Sequence, residues 1–334
     1  MTTTGRGVDS GPQGVEGDWR LFRGDGTERV VDFPPAPPWR RFSAELPTGA
    51  RPGEDTAASR PYLIGEDEAD VVNAALHLRR PLLVTGHPGT GKSSLAYAIA
   101  HELSLGRVLH WPVNSRSTLQ DALYQYDAVG RLREANLRRD AGEKDPEIGE
   151  FIRLGPMGNA MARRDRPRVL LIDELDKGDV DLPNDLLTVF EEGEFAIPEL
   201  ARLAESHSAV LVQTDEPDQP VAVERGRIRC QEFPVVVITS NGEREFPPAF
   251  LRRCVRLDLP EPDEQRLRDI VAAHLGPDAL AGVEDLLAQF LRRRAPGELA
   301  TDQLLNAVFL RKSGVDLEAG RLLEAVLHQL GGAV

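Results

Sequence analysis

Residues 86–95 read Gly86-His87-Pro88-Gly89-Thr90-Gly91-Lys92-Ser93-Ser94-Leu95 (GHPGTGKSSL). The apolar run Leu82-Leu83-Val84-Thr85 leads into this stretch, and Leu95-Ala96-Tyr97-Ala98-Ile99-Ala100 continues it with helical periodicity. Three glycines between a strand and a helix free the backbone to turn its N–H groups inward without a Cβ in the way. The helix that follows points its positive end at the same place. The segment therefore predicts an anion cradle. The spacing Gly86-x-x-x-x-Gly91-Lys92-Ser93 fits the Walker A pattern. The chain has only four lysines (Lys92, Lys144, Lys177 and Lys312) among 40 Lys and Arg residues, so a lysine at this position is informative. Gly86, His87, Pro88, Gly89, Thr90, Gly91, Lys92, Ser93 and Ser94 are the candidate phosphate contacts. Lys92 would reach the β- and γ-phosphates and Ser93 would ligand Mg²⁺.

A second strand, Arg168 to Ile172, delivers Asp173 and Glu174 at its C-terminal end. In a parallel α/β sheet that edge is where ligands bind. Asp173 is expected to hold Mg²⁺, through water or Ser93. Glu174 is expected to polarise the attacking water, as general base or as a positioning group. The strand at 234–240 ends in Ser240-Asn241, whose amide would hold that water or touch the γ-phosphate; Asn241-Gly242 is equally a turn dipeptide. Arg252 and Arg253 precede the last strand. They read either as surface arginines or as groups that reach an adjacent subunit's site and stabilise charge on the transferring phosphoryl group.

The 334 residues suffice for two domains, and a formal net charge of −14 argues against a broad nucleic-acid surface. No apolar run is long enough to span a bilayer, and MTTTGRGVDSGPQG lacks the apolar stretch of a secretory signal. Cys230 and Cys254 have no metal-binding spacing and read as free thiols of a reducing compartment. A cytoplasmic protein is expected.

Residues 1–60 are rich in Gly, Pro and Arg and predict a partly disordered arm that docks Trp19, Phe22, Trp39 and Phe42 on the body. From 61 to 260, apolar runs at 81–86, 107–114, 168–173, 234–241 and 255–260 alternate with helices at 67–80, 93–104, about 117–138 and 182–192. This pattern predicts an α/β fold with a buried parallel sheet flanked by helices. Alternation around Asp215-Glu216-Pro217 predicts a β-hairpin at about 210–233. Residues 261–334 show helical periodicity alone and predict a small all-α lid domain.

Taken together, GHPGTGKS, VLLIDELDK, DLPNDLLTVFEEGEF, VVVITSN and AFLRRC resemble, in order and spacing, the AAA+ P-loop NTPases and within them the MoxR family. The segment LYQYDAVGRLREANL at 123–137 is similar to the MoxR branch associated with von Willebrand A-type proteins. The resemblance implies a strand order of 5-1-4-3-2, a helix-2 insert at about 115–165, and a hairpin before the first sensor. It also implies a homo-oligomeric ring, hexameric in the family's manner, in which Arg253 completes a neighbour's site and Asn241 is the first sensor. Cys254 stands where the family has an aromatic residue after that arginine. The family's second-sensor arginine has no counterpart in ELATDQLLNAV (298–308), so that either Arg292, Arg293 or Arg294 substitutes for it or the lid makes no contact with the γ-phosphate. Tyr62, Leu63, Ile64 and Gly65 fall where the family lines its adenine pocket, so ATP is the expected nucleotide.

The implied activity is Mg²⁺-dependent ATP hydrolysis that drives remodelling of, or cofactor insertion into, a partner protein such as a von Willebrand A-type client. An ATP-gated scaffold with slow turnover and a nucleic-acid-associated NTPase remain the alternatives.

Overall fold

The protein is described by a computed structural model, in which residues 36–37, 62–162, 165–203, 209–216, 220–293, 299–317 and 322–327 are placed. The expected docking of Trp19, Phe22, Trp39 and Phe42 lies outside the described residues.

The first half of the chain runs α1 (Glu66–Leu78), β1 (Leu82–Thr85), α2 (Lys92–Glu102), β2 (Leu109–Pro112), α3 (Leu119–Leu123), β3 (Tyr124–Tyr126), α4 (Ala128–Asp140), β4 (Ile152–Leu154), α5 (Pro156–Met161), β5 (Val169–Asp173) and α6 (Leu182–Glu192). It continues with β6 (Glu194–Ala196), α7 (Pro198–Ala201), β7 (Ala209–Val212), β8 (Val221–Glu224), β9 (Arg227–Arg229), β10 (Val235–Ser240), α8 (Pro248–Leu251) and β11 (Val255–Asp258). Helices alone follow: α9 (Glu264–Leu275), α10 (Glu284–Arg293), α11 (Thr301–Lys312) and α12 (Leu322–Val326).

The central sheet has the order β11-β1-β10-β5-β2. Its four strand pairings are all parallel. Counting only these five strands, the order is 5-1-4-3-2, as the resemblance implied. The strands read as continuous apolar runs because both faces are covered. Side chains alternate between two cores as the pleat requires. Leu83, Leu170, Ile172, Val236 and Ile238 enter one core with Met157, Leu186 and Phe250. Leu82, Val84, Val169, Leu171 and Val237 enter the other, against Val72, Leu95 and Ile99 of α1 and α2. The helices after β11 enclose a third core around Leu267, Phe290, Leu304 and Val308.

Two local expectations need correction. The single helix expected at about 117–138 is broken. Thr118 caps α3 through Asp121, and the chain extends at Leu123 into β3, which pairs antiparallel with β4. Tyr124 is buried, and its hydroxyl donates to Glu199 at 2.9 Å. Asp127 then starts α4 afresh by accepting the Gly130 N–H at 2.7 Å. No Gly or Pro announces the break, and helical periodicity runs through it. The hairpin expected at 210–233 forms from β7 and β8, but it belongs to a larger sheet of order β6-β9-β8-β7. Residues Glu194–Ala196 of β6 follow the helix expected at 182–192 and carried no expectation of their own.

Candidate active site at the carboxyl edge of the sheet

The parallel sheet brings the ends of β1, β5 and β10 to one edge, and the loop after β1 wraps toward the start of α2. Thr85 of β1 is in register with Ser240 of β10, and Ile172 of β5 with Ile238. The loop between β1 and α2 is held tightly. An added Cβ on Gly86, at φ +142°, would lie 2.6 Å from the Leu259 carbonyl oxygen, so the turn admits only glycine. Thr90 Oγ1 donates to the His87 carbonyl at 2.9 Å. Lys92 is buried, and its ammonium donates to the carbonyls of Gly86 at 2.7 Å and His87 at 2.8 Å. Burial pushes its pKa below the usual lysine value, and Asp176, Asp173 and Glu174 pull in the opposite direction.

Asp173 is the hub of the edge. Its Oδ1 accepts from Ser93 Oγ at 2.7 Å and from Thr239 Oγ1 at 2.7 Å, and its Oδ2 lies 3.3 Å from His110 Nε2. Burial disfavours the charged form, yet hydrogen bonds with His110, Thr239 and Ser93 outweigh it and hold the carboxyl down to about 2. A permanently ionised carboxylate beside a serine hydroxyl is a hard oxygen set that suits Mg²⁺.

Glu174 adopts the left-handed conformation, φ 58° and ψ 49°, which is costly for a side-chain-bearing residue. Its N–H donates to Thr239 Oγ1 at 2.8 Å. The carboxylate meets Lys177 Nζ at 2.7 Å and Asn241 Nδ2 at 3.4 Å. Asn241 is fixed in turn through its N–H, which donates to Asp176 Oδ2 at 3.0 Å.

These groups open on one cavity of about 740 Å³, lined by Pro88 to Ser94, Asp173, Glu174, Thr239 and Asn241. Its other wall is made by Tyr62 and Leu63 ahead of α1, Tyr97 of α2, Ile270 and His274 of α9, and Ala300 to Asp302 at the start of α11. Tyr62 and Leu63 line it, whereas Ile64 and Gly65 do not. Gly65 is drawn into capping α1, with its N–H donating to Glu68 Oε2 at 2.8 Å.

Arg252 and Arg253 stand away from this cavity. Arg253 pairs with Glu191 of α6 and donates to the Ala249 carbonyl at 3.1 Å, while Arg252 is exposed. Arg292 and Arg293 close α10 without lining the cavity, and Arg294 lies outside the described residues. The cavity arginine is Arg266 of α9, which grips Glu68 at 3.1 and 3.2 Å and the Leu63 carbonyl at 3.0 Å.

Sequence reasoning missed Thr239, His110 and Arg266. Thr239 was findable, because the parallel pairing of β10 with β5 carries it beside Asp173. His110 and Arg266 carried no local signal.

Fold and site together define a nucleotide-binding P-loop ATPase domain of the AAA+ class. The chain belongs to the family described as AAA domain (dynein-related subfamily), whose profile matches residues 81–254. It is 31% identical over 154 residues to the tylosin resistance ATP-binding protein TlrC of Streptomyces fradiae, which covers 41% of this chain and 28% of that protein. It is 23% identical over 209 residues to the chaperone protein ClpB of Chlamydia muridarum, which covers 60% of this chain and 22% of that protein. The chain thus spans under a third of the length of these curated relatives. Among solved structures, NtrX from Brucella abortus in complex with ATP aligns with a TM-score of 0.40 and 14% identity, covering 81% of this chain and 57% of that one. Among the described residues, no helix is long and apolar enough to cross a membrane.

Proposed function

We propose that this chain is a Mg²⁺-dependent ATPase of the MoxR branch that works as a cytoplasmic homo-oligomeric ring, of six protomers by analogy. Hydrolysis would drive remodelling of a partner protein or cofactor insertion into it. The observation that carries the reading is the convergence of Lys92, Ser93, Asp173 and Glu174 on one cavity beside a glycine-shaped loop.

Each residue has a separable task. The N–H groups from Gly89 to Ser94 and the Lys92 ammonium bind and orient the phosphates. Ser93 and Asp173 would hold Mg²⁺, which when bound neutralises charge developing between the β- and γ-phosphates. Glu174 accepts a proton from water as the water oxygen attacks the terminal phosphorus and ADP departs. Asn241, within reach of Glu174, orients that water. Arg253, turned from its own cavity, supplies a cation to the next protomer. Tyr62 and Leu63, facing Ile270 of α9, would sandwich the base.

The ATP-gated scaffold is the second reading. It is favoured by Lys177, which engages the same carboxylate that must accept the proton. The partial likeness to proteins named as chaperones supports remodelling instead. A Glu174→Gln variant separates the steps: ATP affinity should persist while turnover falls by about 10²–10⁴-fold. Turnover that survives the substitution removes Glu174 from its role. A wild-type protein that binds ATP, assembles, and never turns over even with its partner decides for the scaffold.

A further inference from the structure

Helix α4 is built inside out. Its outward stripe, at positions 129, 132, 133, 136, 137 and 140, has the i, i+3, i+4 spacing that normally faces a core. That stripe carries Val129, Leu132 and Leu137, which are 59%, 63% and 66% exposed. The opposite stripe is polar and half-buried. There Arg131 donates to the Tyr126 hydroxyl at 3.3 Å, and Arg138 donates to Glu134 at 2.8 Å and to Glu150 at 3.3 Å. No residue of α4 is buried. Single exposed apolar side chains are ordinary, but three on the face that periodicity reserves for packing are not.

The face also carries a sign. In a chain of net charge −14, α4 sets Arg131, Arg133, Arg138 and Arg139 against Glu134 and Asp140 alone. Arg133, on the outward stripe, makes no ion pair among the described residues. Arg139 reaches Asp145 at 3.6 Å, with both side chains 66% exposed. An apolar stripe bordered by arginines fits an apolar knob bordered by carboxylates.

The chain itself carries such a knob. Val180 is 60% exposed in the turn ahead of α6, between Asp179 and Asp181, with Asp185 one helical turn on. These three acids are exposed and form no ion pair among the described residues. Asp179 accepts the Asp181 N–H at 3.0 Å. The other two apolar residues at 60% exposure lack this setting: Leu78 precedes Arg79 and Arg80, and Leu211 lies between Val210 and Val212. Within one protomer the α4 stripe and the Val180 turn both face solvent, so neither covers the other.

We infer that the outward face of α4 is an interface for a second copy of this chain. Val129, Leu132 and Leu137 seat on the neighbour's Val180 turn, and Arg133 and Arg139 face the acids beside it. The two surfaces differ, so the contact is head-to-tail, the kind that repeats around a closed ring. It rests on the proposed ring and adds to it a contact outside the nucleotide cavity, which neither α4 nor Val180 lines.

The test follows assembly of the full chain with ATP and Mg²⁺ by light scattering over a dilution series. Leu132→Asp should raise the concentration at which half the protein is assembled by about tenfold or more. Because Leu132 is exposed, the melting temperature of the dilute chain should not move. Arg133→Glu with Arg139→Glu should weaken assembly likewise, as should Asp179→Arg with Asp181→Arg. All four reversals in one chain should restore it, since opposite charges meet again. Leu132→Cys protein mixed with Val180→Cys protein under mild oxidation should give a covalent pair that neither gives alone. Rings undiminished by Leu132→Asp overturn the inference and leave the ring standing. Weakened assembly that the combined reversals do not restore also overturns it, as does a drop in melting temperature, which would seat the α4 face within its own chain. A parent chain that stays monomeric with ATP and Mg²⁺ defeats the ring, and this interface with it.

Discussion

Ser93 Oγ donates to Asp173 Oδ1 across 2.7 Å, joining residues 80 apart in sequence. The contact ties the first turn of α2 to the end of β5, and Thr239 closes it from β10 onto the same oxygen at 2.7 Å. Three elements thus share one acceptor, and the charge on that acceptor is what a divalent cation would use.

The Asp173→Asn variant should keep this geometry and lose the charge. An amide oxygen still accepts from both hydroxyls, so the melting temperature should change little. ATP affinity should lose its dependence on Mg²⁺, and turnover should fall by about 10²-fold or more. Titrating ATP with and without a chelator checks this. An undiminished chelator effect in the variant would place the metal elsewhere.

Much of this site was legible in the sequence, because its chemistry is carried by short segments whose form follows from local rules. Gly86 to Gly91 had to be a loop between strand and helix, and an apolar run ending in Asp173-Glu174 had to be a buried strand. Arg266 was not legible. Its importance comes from where the C-terminal helices pack, and it meets Glu68 across 198 positions. The break at Tyr124 was hidden for a similar reason. A tertiary partner, β4, outweighs a helical pattern that continues through it.

Arg266 fastens α9 to the segment ahead of α1. Its two bonds to Glu68, with side chains 25% and 14% exposed, are shielded enough to matter. Burial opposes ionisation of Glu68, but the bonds from Arg266 and the Gly65 N–H prevail and lower its pKa. A double-mutant cycle of Arg266→Ala and Glu68→Gln should give a coupling of about 1–3 kcal/mol in thermal unfolding. Arg266→Lys should recover little of it, since an ammonium cannot make the paired contact. Both Arg266 variants should also raise the KM for ATP, because α9 lines the cavity. Additive single effects would mean that the pair contributes nothing.

Two tyrosines should titrate late. Burial pushes Tyr62 up to about 12, and burial together with the bond to Glu199 pushes Tyr124 up to about 12. Both begin from an ordinary value of 10.0. The folded state therefore keeps protons that the unfolded chain releases. The stability this confers is whole below pH 10 and drains away between about pH 10 and 12. Phenolate absorbance should show a late component worth two tyrosines, and Tyr62→Phe and Tyr124→Phe should each remove half of it. A component that does not shrink in either variant assigns the late titration to other residues.

Arg253 offers the sharpest test of ring chemistry, because its partner in its own chain is known. The Glu191 pair holds the guanidinium on α6, away from the cavity that its own chain builds. If Arg253 serves a neighbour, Arg253→Ala should leave ATP affinity intact and cut turnover by about 10³-fold or more. Glu174→Gln should be equally inactive for a different reason. Mixing the two inactive proteins under conditions that allow subunit exchange then becomes decisive. Wherever an Arg253→Ala protomer sits beside a Glu174→Gln protomer in the right order, an intact Glu174 meets an intact arginine, and turnover should return to a fraction set by the mixing ratio. Recovery requires the arginine to act in trans. An inactive mixture that still forms rings would confine Arg253 to its bond with Glu191.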